Sequence, residues 1–259
     1  MRKPRKLGAP ALRVIQRENL ILRLIGSTYD SYQFRLSRYN VQDYMGGTYL
    51  NAAVLPNLIA GVRYEFHDTL LGGKQFLTDH RFTPNLTLRE GKYGHTTAYY
   101  EFELIDVKGF ALTPALVRSA NVNSVGATQA FYLFRGDGRL FLGYRYDNAR
   151  TAGSDFDRST NQANIRLEIP LPLKTVFNAE ARYFWDDYKN PNSFDFLGRA
   201  RMDRRIEARV GFQTFFTPRV SARADYVYTD NHSNVQNLYG SSFYTYNRNI
   251  VGAQLIFDF

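Results

Sequence analysis

The segment Tyr244–Phe259 reads Y-T-Y-N-R-N-I-V-G-A-Q-L-I-F-D-F. Taken in steps of two from the end, Phe259, Phe257, Leu255, Ala253 and Val251 fall on one face. Asp258, Ile256, Gln254, Gly252, Ile250 and Arg248 fall on the other. A period of two belongs to a β-strand, here with one apolar and one mostly polar face.

The same rhythm recurs upstream. Ala222, Ala224, Tyr226 and Tyr228 alternate with Ser221, Arg223 and Asp225; Ile206, Ala208, Val210 and Phe212 with Arg205, Glu207 and Arg209. Phe177 to Trp185, Ala163 to Ile169, Arg139 to Asn148, His95 to Asp106, Leu58 to His67 and Ser31 to Tyr39 read alike. Short turn signals stand at Pro56, Gly91, Gly136, Pro172 and Pro218, and longer polar loops are expected near residues 72, 112, 153, 195 and 236. Pro84, inside an otherwise good strand, predicts a bulge or kink. Counting from Ser31 gives twelve strands; fourteen would need two more from residues 8 to 27. The predicted fold is therefore all-β, an antiparallel up-and-down barrel of about 12 strands (alternative 14). Residues 1–28 are read as a basic N-terminal tail or periplasmic segment, and 29–259 as the barrel.

The charges collect on one face: Arg35, Arg63, Glu65, Arg81, Glu101, Glu103, Arg145, Asp147, Arg166, Glu168, Glu180, Arg182, Arg205, Glu207, Arg209, Arg223, Asp225 and Arg248. In a barrel this face lines the lumen. Side chains on adjacent strands lie about 5 Å apart, so Arg and Glu are expected to pair across strands. Such a face either braces the wall or forms an arginine-lined path for anionic or hydroxyl-rich solutes, and the two roles are compatible.

Composition narrows the function. The chain has 259 residues, 44% hydrophobic and 15% aromatic, with 20 Phe, 19 Tyr and one Trp. Its mean hydropathy is −0.40. No run approaches the ~18 apolar residues of a spanning helix, a test that spanning strands escape because only alternate residues meet lipid. The net charge of +9 suits an anion-attracting surface. No helix-borne basic face or nucleic-acid motif is present, so nucleic acid is not an expected partner. The absence of Cys fits passage through an oxidising compartment but fits other settings too. The four His (His67, His80, His95, His232) show no metal-ligand spacing, and no metal or other cofactor is expected. Met1 to Ala9 opens like the basic region of a signal peptide, but Pro10, Arg13 and Arg17 break the apolar stretch that should follow.

The terminal strand resembles the C-terminal recognition signal of bacterial outer-membrane β-barrels. In that family an aromatic last residue follows apolar residues at every second position, as Val251, Ala253, Leu255, Phe257 and Phe259 do here. The resemblance implies location in the bacterial outer membrane, contact with its lipid and handling by the barrel-assembly machinery. More loosely, Leu77 to Gly91 and Tyr246 to Phe259 are similar to barrel domains of exporters linked to tetratricopeptide repeats and of surface-lipoprotein assembly modifiers. That likeness implies a periplasmic partner or an N-terminal domain beyond this sequence. The expected function is an outer-membrane pore or export conduit passing anionic or polysaccharide-like solutes, and not an enzyme. One alternative is a structural barrel within a larger outer-membrane complex. Another is an outer-membrane hydrolase, since Asp230-Asn231-His232 and Asp186-Asp187 at predicted rims are similar to the Asp–His and acidic pair of outer-membrane aspartyl proteases.

Overall fold

The computed structural model describes residues 11–17, 19–31, 40–108, 113–217 and 219–257. It contains β1 (Ala11–Arg17), β2 (Leu20–Ser31), β3 (Val41–Leu55), β4 (Leu58–Leu71), β5 (Lys74–Arg89), β6 (Gly94–Val107) and β7 (Ala120–Leu133). These are followed by β8 (Gly138–Thr151), β9 (Arg158–Leu171), β10 (Thr175–Pro191), β11 (Ala200–Phe215), β12 (Val220–Ser233) and β13 (Tyr246–Phe257). Helical structure among the described residues is confined to three-residue 3-10 turns, and no helix is long and apolar enough to cross a membrane. The strands form one sheet whose order follows the chain, β1 to β13, and every recorded pairing is antiparallel.

The sheet has thirteen strands among the described residues, where twelve or fourteen were expected. The difference lies at the start. Residues 11–28, expected as a tail, contribute β1 and most of β2. Their pattern hid this because Ile21 and Ile25 sit on the same face as Arg23, so both faces of β2 read as apolar. Residues 32–39, which held the expected first strand, lie outside the described residues, as does Arg35.

Two further expectations change. The loop expected near residue 72 is a two-residue turn, Gly72-Gly73, with φ of 58° and 77°. Positive φ at both positions matches the hairpin turn that follows the natural twist of the strands. Pro84 causes no bulge. It sits in register opposite Val62, while the irregularity in that pair falls at Thr69/Leu70. The proline ring therefore costs a ladder hydrogen bond without shifting the side-chain faces.

The chain divides into two compact units. The first comprises Met1–Leu88, Ala98–Val125 and Asn148–Asp157, and the second Arg89–Thr97, Gly126–Asp147 and Arg158–Phe259. Register fixes the faces within each. In the first, Leu22, Leu50, Val62 and Pro84 line up across β2 to β5, as do Arg23, Tyr49, Arg63 and Thr83 on the other face. In the second, Ile165, Ala181, Ala208, Tyr228 and Asn249 form one row across β9 to β13; Asn164, Arg182, Glu207, Thr229 and Arg248 form a row on the opposite face. Gly94 begins β6 at a close approach: a Cβ there would lie 1.8 Å from the carbonyl oxygen of Ala130, so only glycine fits.

Burial runs opposite to that of a water-soluble sheet. Among the described residues, fourteen polar or charged side chains are buried against six hydrophobic ones, while Val62, Phe82, Leu86, Ile165, Val210, Phe212, Val251 and Leu255 are exposed. The exposed apolar residues share the alternating face predicted to meet hydrocarbon. The buried charges of the strands, Glu65, Asp79, Glu103, Asp186 and Asp203, share the other, hereafter the inward face.

Candidate functional site

On the inward face of the first unit, Glu65 is only 3% exposed. It accepts hydrogen bonds from Arg63 on its own strand and from the Tyr49 hydroxyl at 3.2 Å, and the Arg63 guanidinium lies 4.9 Å from the centre of the Tyr49 ring. Arg81 bridges two strands, reaching Asp79 at 2.5 Å and Glu103 at 2.8 Å. The Thr83 hydroxyl donates to Glu101 at 3.1 Å.

The second unit repeats the device. Arg145 pairs with Asp147 at 2.5 Å, Arg166 with Glu168 at 3.5 Å, Arg182 with Glu180 at 2.8 Å and Arg205 with Glu207 at 3.3 Å. Asp225 takes Arg223 at 2.9 Å and Arg209 through its Nε at 3.1 Å. Two guanidiniums are also held flat by rings: Arg166 lies 4.1 Å from the Phe141 centroid and Arg205 4.1 Å from that of Phe184. Most pairs recorded among the described residues therefore run along one strand, between residues two apart, rather than across strands as expected; Arg81–Glu103, Arg139–Glu168, Arg158–Asp186 and Arg209–Asp225 are cross-strand cases. Successive same-face positions are about 6.6 Å apart along a strand, a span that the long Arg and Glu side chains cover, and the repeated R-x-E, E-x-R and R-x-D spacing exploits that.

The sequence reading missed the most enclosed pair. Arg201 donates to Asp203, which is 3% exposed. The guanidinium is sandwiched between Tyr188 at 4.7 Å and Tyr244 at 3.4 Å. The Asn231 amide fixes the Tyr244 carbonyl at 2.6 Å, so the end of the β12–β13 connection is tied to the inward face. The usable signal was the same two-residue charge spacing, which also marks Asp79–Arg81.

The long connections after β10 and β12 are knit together. Asp195 accepts from Arg199 side-chain nitrogens at 3.0 and 2.9 Å and from the backbone N–H groups of Arg199 and Gln236 at 2.8 and 3.0 Å. Arg199 also donates to the carbonyl of Asn234 at 2.8 Å. The Arg199 hydrogen bonds hold the Asp195 carboxyl well below the usual carboxylate range, against the opposing effect of burial. A depressed value means that the carboxylate's contribution is complete above the ordinary value near ~3.9 and is lost only as pH falls through the much lower folded value. The amide chemical shifts of Arg199 and Gln236 should thus stay flat from pH 7 to about 4 and move only in stronger acid. A midpoint near ~3.9 would show that the network does not hold the loop.

The rim acids do not assemble a hydrolytic pair. Asp186 faces inward, buried, with the Thr160 hydroxyl as its partner. Asp187 is on the opposite face, bonded to Arg204 at 3.0 Å. His232 meets Asp230 at 3.1 Å, opposite Arg204 and Ile206. Of the remaining histidines, His67 meets Asp43 at 3.6 Å, His80 meets Tyr64 at 2.9 Å and His95 meets Tyr132 at 3.0 Å. No cluster of metal-ligating side chains occurs among the described residues.

In the terminal strand, Val251, Ala253 and Leu255 share the outward face, opposite Tyr226, Ala224 and Ala222. Val251 is 82% exposed and Leu255 60%. Phe257 is paired through its backbone with Val220. Phe259 lies outside the described residues.

No family model matches the chain, and no curated protein matches it. Among solved structures, it is similar to the translocator domain of autotransporter NalP from Neisseria meningitidis. The identity is 16%, the match covers 84% of this chain and 86% of that one, and the TM-score is 0.39.

Proposed function

We propose that the chain is a transmembrane β-barrel of the bacterial outer membrane, acting as a pore or export conduit whose arginine-rich inner face favours anionic solutes. The observation that carries this reading is the inverted burial: apolar side chains exposed on one face, charged ones buried on the other. In water such an outer face would be a large adhesive patch. In a bilayer it is the surface that lipid requires.

A repeated tyrosine supports the same reading. Tyr64, Tyr100, Tyr144 and Tyr226 are each the seventh residue of β4, β6, β8 and β12. All four sit on the apolar face and hydrogen-bond to the next strand: Tyr64 to His80, Tyr100 to Asn123, Tyr144 to Asn161 and Tyr226 to Asn249. Further along, the outward residues turn polar at Asp68 on β4, Asp106 on β6, Asn148 on β8 and Asp230 on β12. From Val220 to Tyr228 is eight residue steps, about 27 Å along a strand and roughly 20 Å in height at a tilt near 40°, close to the ~25 Å apolar band of such barrels. The tyrosines thus lie within that band with their hydroxyls satisfied by the neighbouring strand.

Purified protein in planar bilayers should show discrete conductance steps with an anion-to-cation permeability ratio above one. A barrel that inserts but does not conduct supports the second reading, a structural or partner-gated barrel. The near-complete charge pairing and ring stacking of the inward face favour that alternative. Failure to insert at all would overturn both.

A further inference from the structure

The inward arginines are not equivalent. On β11, β12 and β13 that face carries five arginines (Arg201, Arg205, Arg209, Arg223 and Arg248) against three carboxylates, Asp203, Glu207 and Asp225. The first four are held by those carboxylates. Arg248 is exposed, stands in register opposite the buried Thr229, and has no ion-pair partner among the described residues. Arg23 on β2 also has no carboxylate partner among the described residues, but its Nε is buried without a hydrogen-bond partner there. Arg248 therefore combines a charge that has no carboxylate partner among the described residues with exposure, on a strand whose residues 246–251 are exposed on both faces.

We propose that Arg248 is an anion-binding residue of the inward face, taking the oxygens of a phosphate, sulfate or carboxylate group. This rests on the reading of that face as a solute path. A guanidinium offers five donors in a planar fork that matches such oxyanions in pairs. In the paired arginines part of that fork is spent on a carboxylate, and an incoming anion would have to displace a like-charged group. At Arg248 it displaces only water. Asp225, shared by two arginines, leaves the surrounding face short of negative charge and so adds to the attraction.

Two measurements on the full chain test this. In detergent-folded protein, phenylglyoxal should modify Arg248 at least several-fold faster than Arg166 or Arg205, by peptide mass spectrometry, and inorganic phosphate should slow the modification of Arg248. Equal rates, or no protection by phosphate, would overturn the proposal whether or not the barrel conducts. In planar bilayers, Arg248→Gln should lower the anion-to-cation permeability ratio by about twofold or more. Arg219→Gln, the same charge change at an exposed residue of the β11–β12 turn, should leave the ratio unchanged. Equal effects of the two variants would show that only net charge matters and that Arg248 is no site. A chain that never conducts would remove the pore reading, while the phosphate-protection result would still decide the role of Arg248.

Discussion

Val210→Arg is expected to prevent stable insertion into lipid bilayers while changing little in water. Val210 lies near the middle of β11, opposite Ala179 on one side and Tyr226 on the other, and is 43% exposed on the apolar face. If hydrocarbon covers that face, an arginine near the bilayer midplane costs about 2–4 kcal/mol. Such a penalty is a large fraction of typical folding stability. If water covers it, the substitution exchanges a half-exposed apolar side chain for a charged one and should be neutral within about 0.5 kcal/mol. Folding into liposomes, followed by protease protection and urea titration, separates the two cases. Wild-type-like insertion of the variant would show that the apolar face does not meet lipid.

The second large effect is expected at Asp203. Removing this carboxylate leaves Arg201, whose side chain is 11% exposed, charged and uncompensated between two tyrosine rings. Breaking one partner of a buried pair costs about 3–5 kcal/mol, whereas replacing both by apolar residues of similar volume is often close to neutral. Asp203→Ala should therefore lower the urea midpoint sharply, and Arg201→Met combined with Asp203→Leu should recover most of the loss. If Asp203→Ala alone were neutral, the sandwich would be ornamental to stability. Because the same sandwich holds Tyr244 and the end of the β12–β13 connection, its loss should also speed proteolysis between residues 234 and 245.

The elements legible in the sequence were those with an unambiguous alternation. The faces of β9 to β13 were legible because small and branched apolar residues alternate there with Arg, Glu and Asn, although β10, β11 and β12 extend further at their loop ends than the alternation indicates. β1 and β2 were not, since Ile21 and Ile25 face inward and erase the contrast between faces. The β4–β5 turn was misjudged because Gly72-Gly73 signals chain reversal without stating its length; the strand simply resumes at Lys74. At the charged face the residue set was legible, but the geometry of pairing was not. Alternation places Arg166 and Glu168 on the same face, yet it cannot say whether each turns along its strand or across to a neighbour. The rotamers that decide this are fixed by rings such as Phe141 and Phe184, which come from other strands. Arg201 and Asp203 were not legible because the clear alternation of their strand starts only at Arg205, and residues 201–204 fall between it and the preceding polar loop.

The sole tryptophan, Trp185, provides the most direct probe of where the apolar face lies. It points outward from β10, opposite Asn161 and Arg204, at the level where that face turns polar. In liposomes carrying brominated phospholipids its fluorescence should be quenched, more strongly by bromines near the headgroup than by those deep in the chains, and aqueous iodide should have little effect. Strong iodide quenching with no response to brominated lipid would place Trp185 in water and contradict the membrane-spanning account.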